Sequence, residues 1–293
     1  MRIIRTISEL RVALKALREK GQSIGFVPTM GFLHDGHAAL IRQSTARCDA
    51  TVVSVFVNPT QFGPSEDLAN YPRDLERDQN LCLRLGVLIL FIPDPAEVYP
   101  TGFSTSIAVG TMGELLCGAF RPGHFRGMAT VVAKLFNMVQ PDLAFFGQKD
   151  LQQTAILQRM VKDLNLPVDI LVAPTVREAD GLALSSRNTY LTPENRQRAL
   201  GINRGLQAAE KAFRSGTQDA EALVALARAE FADADQIQYC EIVDPSTLDS
   251  LSGPILRPAA LCVAVVIGGT RLIDNLLLSP TGEDAQFFSH LES

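Results

Sequence analysis

The chain has 293 residues, 46% of them hydrophobic and 20% charged, with a formal net charge of -5. That length allows two domains, or one large one, with a sizeable buried core, and the composition excludes a largely disordered chain. The acidic balance excludes the basic footprint of a nucleic-acid binder while leaving room for a small anion in a local pocket.

The N-terminal stretch MRIIRTISELRVALKALREKG has the charge of a targeting segment, but Leu10, Ala13, Leu14 and Leu17 recur at helical spacing. The pattern predicts a helix capped by Ser8 and stopped at Gly21. No stretch approaches the roughly 18 apolar residues of a membrane span, so no membrane partner is expected. Short β-rich runs follow at Ser23–Val27, Thr51–Val57, Val87–Ile92, Leu143–Phe146 and Val168–Val172, with helical patterns at about 38–47, 67–85, 125–139 and 150–164 between them. The runs are apolar throughout rather than alternating, as expected of parallel strands covered on both faces. After ADGLALSSRNTYLTPE the rhythm changes. Helices at about 193–214 and 217–231 precede strands near Gln236–Val243, Ala260–Ile267 and Arg271–Leu277. The expected fold class is therefore α/β: a Rossmann-like doubly wound parallel sheet over residues 1–176, a smaller C-terminal α+β lid domain over 177–283, and a flexible tail at 284–293. The five cysteines, Cys48, Cys82, Cys117, Cys240 and Cys262, are odd in number and form no CxxC pair. They are expected as reduced thiols in a cytoplasmic protein.

In an open parallel sheet, ligands bind beyond the carboxyl ends of the strands. The first predicted strand leads into PTMGFLHDGH, which holds two of the chain's four histidines, and the second into Asn58-Pro59-Thr60-Gln61-Phe62-Gly63. The fourth leads into Gly147-Gln148-Lys149-Asp150 with Gln152 and Gln153 just behind, and the fifth into Pro174–Arg177 and on to Ser185-Ser186-Arg187-Asn188. These donors suit a phosphate-bearing ligand. Gly31 and Gly36 let backbone approach closely, and a helix starting near His37 offers its N–H groups to an anion. Lys149 supplies a point charge and Arg187 a planar fork. A further basic cluster, RPGHFRG at 121–127, precedes another helix start. Each feature has a bland counterpart: a structural glycine turn, a solvated lysine, a serine cap, a loop-bracing His124. Their joint occurrence at strand ends favours a site.

For His34 and His37 three chemistries compete. A zinc site needs a third ligand, and no Cys, His or acidic cluster of metal spacing completes one, so no protein metal site is expected. A nucleophile–base pair lacks a G-x-S-x-G elbow or a cysteine in an obvious setting. Imidazoles donating to a transferring phosphoryl group account for the Lys, Arg and Ser loops as well.

His34-Asp35-Gly36-His37 matches the HxGH signature of the nucleotidyltransferase superfamily, related to the HIGH motif of class I aminoacyl-tRNA synthetases. Together with FVNPTQFGPSEDLANYPRD, RPGHFRGMATVVAKLFNMVQPDLAFFGQKDLQQ, DGLALSSRNTYLT and RLIDN at 271–275, it resembles the pantoate–β-alanine ligase family over nearly the whole chain. The resemblance implies ATP-dependent joining of D-pantoate to β-alanine through a pantoyl adenylate, with Mg2+ assisting, in a homodimer. It implies that ATP lies along Met30, Gly31, Phe32, Leu33, His34, Asp35, Gly36 and His37, with His37 as proton donor. Gly147, Gln148, Lys149 and Asp150 would hold ribose and phosphates, and Val176 would contact adenine. Leu184, Ser185, Ser186 and Arg187 would form a mobile phosphate-binding segment comparable to the KMSKS loop. Gln61 and Gln153 would bind pantoate, with Gln61 also near β-alanine. The catalytic set is then His34, His37, Lys149 and Arg187. The rivals are another HxGH nucleotidyltransferase, for example one adenylating a phosphomonoester, and a non-catalytic nucleotide-binding module. A tRNA synthetase fits poorly, because the short acidic chain lacks room for an anticodon domain.

Overall fold

The computed structural model describes residues 1–280 apart from Ser65 and Asp67, so the expected tail at 284–293 lies outside the described residues. The elements run β1 (Arg2–Ile4), α1 (Ile7–Arg18), β2 (Ile24–Thr29), α2 (Asp35–Arg47), β3 (Ala50–Val55), α3 (Leu75–Arg84) and β4 (Ile89–Phe91). They continue with α4 (Pro95–Val98), α5 (Cys117–Phe120), α6 (His124–Val139), β5 (Leu143–Gly147), α7 (Leu151–Asp163) and β6 (Asp169–Ala173). The last elements are α8 (Pro193–Arg214), α9 (Ala220–Ala229), β7 (Gln236–Val243), β8 (Ala259–Ile267) and β9 (Thr270–Leu278).

Several boundaries differ from expectation for local reasons. Three-residue β1 is too short to carry a period; it is recruited by parallel pairing of Arg2 to Ile4 with Ile89 to Phe91. Helix α1 is capped by Thr6, not Ser8, because the Thr6 hydroxyl accepts from the Glu9 amide at 3.3 Å. Helix α3 starts at Leu75 rather than near residue 67, capped by the Asp74 carboxylate on the Arg77 amide at 3.1 Å. Helix α2 starts at Asp35, not near His37, with His34 itself as the cap.

The chain divides into two compact units. The first comprises Met1–Glu114, Arg121–Gly147 and Ile156–Ala173. It contains a six-stranded sheet in the order β1-β4-β3-β2-β5-β6 whose strand pairs are all parallel. On one face Val27, Val53, Leu90 and Phe145 pack with Leu40 and Ile41 of α2 and Cys82 of α3. On the other, Phe136 of α6 meets Phe26 of β2 and Phe146 of β5 edge-on, with ring centroids 6.4 Å apart in both pairs. Neighbouring strand residues thus face opposite layers, which is why the strands read as continuously apolar. Chain order reverses across β2, with β3 on one side and β5 on the other. This is the switch point at whose carboxyl edge open α/β sheets bind ligands.

Among the described residues the second unit comprises Leu115–Phe120, Gln148–Ala155 and 174–280. Its sheet β7-β8-β9 is antiparallel, with β8 and β9 joined by a tight turn at Gly268-Gly269. Helices α8 and α9 and the turn that follows α9 cover it through Ile202, Leu206, Leu223 and Phe231 against Leu261, Val263 and Val265.

Candidate active site

The turn after β2 is a built structure rather than a slack glycine loop. The Thr29 hydroxyl donates to the Ser54 carbonyl of β3 at 2.8 Å and accepts from the Gly31 amide at 3.1 Å. Gly31 has φ +84°, and a Cβ there would lie 2.9 Å from Val55 Cγ1 and 3.1 Å from Asp78 Oδ2. Phe32 follows at φ +53°, a left-handed conformation uncommon for a bulky residue. The Asp78 carboxylate of α3 compensates: Oδ2 accepts from the Phe32 amide at 2.8 Å and Oδ1 from the Leu33 amide at 2.7 Å. Burial pushes the Asp78 carboxyl above its ordinary range, and these two N–H donors pull it back in part. The Arg77 guanidinium lies over the Phe32 ring, 5.4 Å from its centroid.

The histidine pair caps α2 reciprocally. His34 Nδ1 accepts from the Gly36 amide at 3.2 Å, and His37 Nδ1 accepts from the His34 amide at 3.3 Å. Their ring centroids lie 4.2 Å apart. An Nδ1 that accepts from backbone carries no proton, so each neutral ring is the Nε2–H tautomer. Part of the helix N-terminus is therefore used by the histidines themselves. The turn thus carries two imidazole rings of fixed tautomer.

Gln61 ends a 3-10 turn, Pro59–Gln61, and is buried. Its Oε1 accepts from Asn58 Nδ2 at 3.0 Å and its Nε2 lies 3.4 Å from Met30 Sδ, which brings it beside the histidine turn. Asn58 is itself held: its Nδ2 also donates to the Gly127 carbonyl at 3.2 Å, and its Oδ1 accepts from the Tyr99 hydroxyl at 2.8 Å. Burial raises the Tyr99 phenol, keeping it a donor. Behind Gln61, His124 Nδ1 lies 2.8 Å from the Gln61 carbonyl and His124 Nε2 lies 3.0 Å from Arg121 Nη1. A carbonyl only accepts and a guanidinium only donates, so His124 is neutral with its proton on Nδ1. Arg121 in turn grips Glu66 with two bonds, 2.7 Å from Nε and 2.6 Å from Nη2. Burial pushes the Glu66 carboxyl up, but the Arg121 hydrogen bond and charge outweigh it and hold the group below its ordinary range. His124 is the loop brace that the bland reading allowed.

The second unit holds the other expected residues. Gln148–Asp150 form a 3-10 turn, with Lys149 Nζ 4.0 Å from Asp150 Oδ1. Gln153 is half-buried on the opening turn of α7. Its neighbour Gln152 has a structural role: Oε1 accepts from the Cys117 amide at 3.0 Å and Nε2 donates to the Leu115 carbonyl at 2.7 Å. Val176 and Leu184 meet across a short hairpin, the Leu184 amide donating to the Val176 carbonyl at 3.0 Å. Beyond it Ser185 caps the turn Ser186–Tyr190 by accepting from the Arg187 amide at 3.3 Å.

Met30–His37, Gln61 and Gly147 thus belong to the first unit. Gln148–Asp150, Gln153, Val176 and Leu184–Arg187 belong to the second. Asn58 lies in the strand-end loop that the sequence singled out, but Asp78, Tyr99 and Glu66, which also shape the first group, carried no local signal; each is an ordinary polar residue until the fold brings its partner. Among the described residues no three His, Cys, Asp or Glu side chains gather as metal ligands.

A family model described as pantoate-beta-alanine ligase matches residues 2–277. The chain belongs to the pantoate–β-alanine ligase family. Among relatives, pantothenate synthetase 1 of Bradyrhizobium diazoefficiens is 59% identical over 279 residues, 95% of this chain and 99% of that one. Pantothenate synthetase from Thermus thermophilus superposes with a TM-score of 0.90 at 46% identity, covering 96% of this chain and 100% of that one. A pantoate–β-alanine ligase from Francisella tularensis, solved in complex with beta-gamma ATP and beta-alanine, gives a TM-score of 0.78 at 35% identity. That match covers 94% of this chain and 97% of that one. The expected Rossmann-like sheet and small antiparallel domain are thus those of pantoate–β-alanine ligases, and among the described residues no helix is long and apolar enough to cross a membrane.

Proposed function

We propose that this chain condenses D-pantoate with β-alanine to pantothenate, a coenzyme A precursor, using ATP and passing through pantoyl adenylate. In the first step a pantoate carboxylate oxygen attacks the α-phosphorus, the bond to the β-phosphate breaks, and pyrophosphate leaves with the electron pair. The nucleophile is already ionised at neutral pH, so the protein's work is alignment and charge stabilisation. In the second step the amine of β-alanine attacks the acyl carbon, the acyl–oxygen bond breaks, AMP departs, and the amine's proton is released.

The observation that carries this reading is the reciprocal capping of His34 and His37, which fixes both rings as Nε2–H donors at the start of α2. In the proposal they meet phosphate oxygens, with His37 as proton donor, while backbone from Met30 to Gly36 lines the nucleotide. Lys149 and Arg187 neutralise phosphate charge as it shifts. Gly147, Gln148 and Asp150 hold ribose and phosphates, Val176 contacts adenine, and Leu184, Ser185 and Ser186 complete the phosphate segment. Gln61 and Gln153 read the pantoate hydroxyls and carboxylate, Gln61 also meeting β-alanine; an amide offers both donor and acceptor.

Magnesium fits only as a companion of the nucleotide, since phosphate oxygens and water satisfy a hard cation without a protein cage. When bound it neutralises phosphate charge. A homodimer and a cytoplasmic setting, suited to five free thiols, belong to the same proposal.

The test is pyrophosphate release with ATP and pantoate, with and without β-alanine. Pantoate-dependent pyrophosphate release, with AMP freed only when the amine is added, is expected. Pyrophosphate release with a phosphomonoester instead of pantoate would point to another nucleotidyltransferase, and none with either to a binding module. Sedimentation reading twice the chain mass is expected for the dimer.

A further inference from the structure

The block Arg271–Asn275 contributes to the family resemblance, yet none of its residues has a role in the reaction as described. It lies on β9, and Asn275 is only 3% exposed. Asn275 Nδ2 donates to two consecutive carbonyls, Gln148 at 2.9 Å and Lys149 at 3.0 Å. Asn275 Oδ1 accepts from Gln148 Nε2 at 3.2 Å. The side chain therefore spends both N–H groups and its oxygen on one three-residue turn, the one that carries Lys149. The preceding residue ties down a second segment of the same unit. Asp274, 4% exposed, receives Arg177 Nη1 on Oδ2 at 2.5 Å and Arg177 Nη2 on Oδ1 at 3.1 Å. Its Oδ1 also accepts from the Asn275 amide at 2.8 Å, while Arg177 Nη1 reaches the Gly181 carbonyl at 3.3 Å. Arg177 sits in the hairpin that pairs Val176 with Leu184 and leads to Arg187.

We infer that Asn275 is a positioning residue for the first chemical step: it fixes the backbone from which Lys149 projects, while Asp274 fixes, through Arg177, the hairpin that leads to Arg187. This rests on the proposal that Lys149 and Arg187 meet the phosphates. The i→i+3 bonds of a short 3-10 turn have poor geometry, so the turn gains from being tied to a distant strand, and only an amide of this length supplies two donors and an acceptor here. Aspartate would turn a carboxylate oxygen toward two carbonyls. Alanine would remove all three side-chain bonds that tie the turn to β9, and a misplacement of about 1 Å can cost on the order of 100-fold in rate.

The test uses Asn275→Ala and Asn275→Asp in the full-length enzyme, with Leu272→Ala as a β9 core control that does not touch the turn. The readouts are pantoate-dependent pyrophosphate–ATP exchange per folded molecule and ATP affinity by calorimetry. Both Asn275 variants are expected to lose about 10- to 100-fold in exchange, mainly in kcat, while Leu272→Ala loses stability but keeps exchange within about twofold. Asn275→Asp preserves shape and volume, so it carries the test should the alanine variant not fold. ATP affinity in a Lys149→Ala background separates positioning from general damage. There Asn275→Ala is expected to add less than about twofold, because it acts through the side chain already removed. Near-normal exchange in both Asn275 variants would overturn the inference, as would equal losses of ATP affinity with and without Lys149. If Lys149→Ala itself leaves exchange intact, the proposed role of Lys149 falls instead.

Discussion

The Asp78 carboxylate lies 2.7 Å from the Leu33 amide and, through its other oxygen, 2.8 Å from the Phe32 amide, so a residue of α3 sets the backbone that precedes the histidine pair. Asn at position 78 would keep one acceptor but turn an NH2 group toward the second buried N–H. Asp78→Asn is expected to cost about 1–3 kcal/mol, read as a lower Tm, and to raise KM for ATP as the turn relaxes. A variant melting and binding ATP like the parent would remove Asp78 from this role.

The Glu66–Arg121 pair gives a signed pH dependence. The folded-state carboxyl sits below its ordinary value of 4.5, because Arg121 outweighs burial. Its contribution is therefore present above about pH 4.5 and is lost as pH falls through the lower folded value. Glu66→Gln is expected to be less stable than the parent at pH 7 by on the order of 1 kcal/mol. Denaturant melts from pH 7 to pH 3 should show that gap closing with acid; a constant gap would refute the assignment.

The fixed tautomer of His124 separates its isosteres. Asparagine can reproduce the Nδ1–H donor toward the Gln61 carbonyl, whereas glutamine places its amide where Nε2 now accepts from Arg121. Steady-state kinetics should show pantoate KM raised about tenfold or more in His124→Gln and less in His124→Asn. Equal effects would mean that the Nδ1 contact is not what positions Gln61.

Gly127 lets α6 touch the Gln61 turn. A Cβ there would lie 2.2 Å from the Thr60 carbonyl oxygen and 2.7 Å from the Gln61 amide nitrogen, both backbone atoms that cannot swing aside. Gly127→Ala should lower Tm and raise pantoate KM more than ATP KM, despite alanine's higher helix propensity. A stabilised variant with normal kinetics would contradict the geometry.

His37→Ala and Lys149→Ala are each expected to reduce pantoate-dependent pyrophosphate–ATP exchange by at least about 100-fold while melting cooperatively. Gln153→Ala should weaken pantoate more than ATP. Normal exchange in the first two, or equal loss of both substrates in the third, would dismiss those roles.

Pattern along the chain was enough to specify the architecture and to single out the candidate site residues. Continuous apolar runs such as Leu143–Phe146 can be stable only when buried on both faces, which dictates parallel strands flanked by helices. Polar residues placed directly after such runs, His34, His37, Gln61 and Lys149 among them, must then leave from the carboxyl ends of the strands. Periodicity and caps are local, so they were legible, although side-chain competition shifted the caps of α1 and α2 to Thr6 and His34. The states of His34, His37 and His124 emerged only from the folded contacts. The proton sits on Nε2 in His34 and His37 but on Nδ1 in His124, because the partners are backbone amides in one case and a carbonyl with an arginine in the other. His124 and the Gln61 carbonyl are 63 residues apart in the chain, Asp78 and Leu33 are 45 apart, and Asn275 and Lys149 are 126 apart. A hydrogen bond across such a separation has no periodic signature, so only the folded backbone could reveal it.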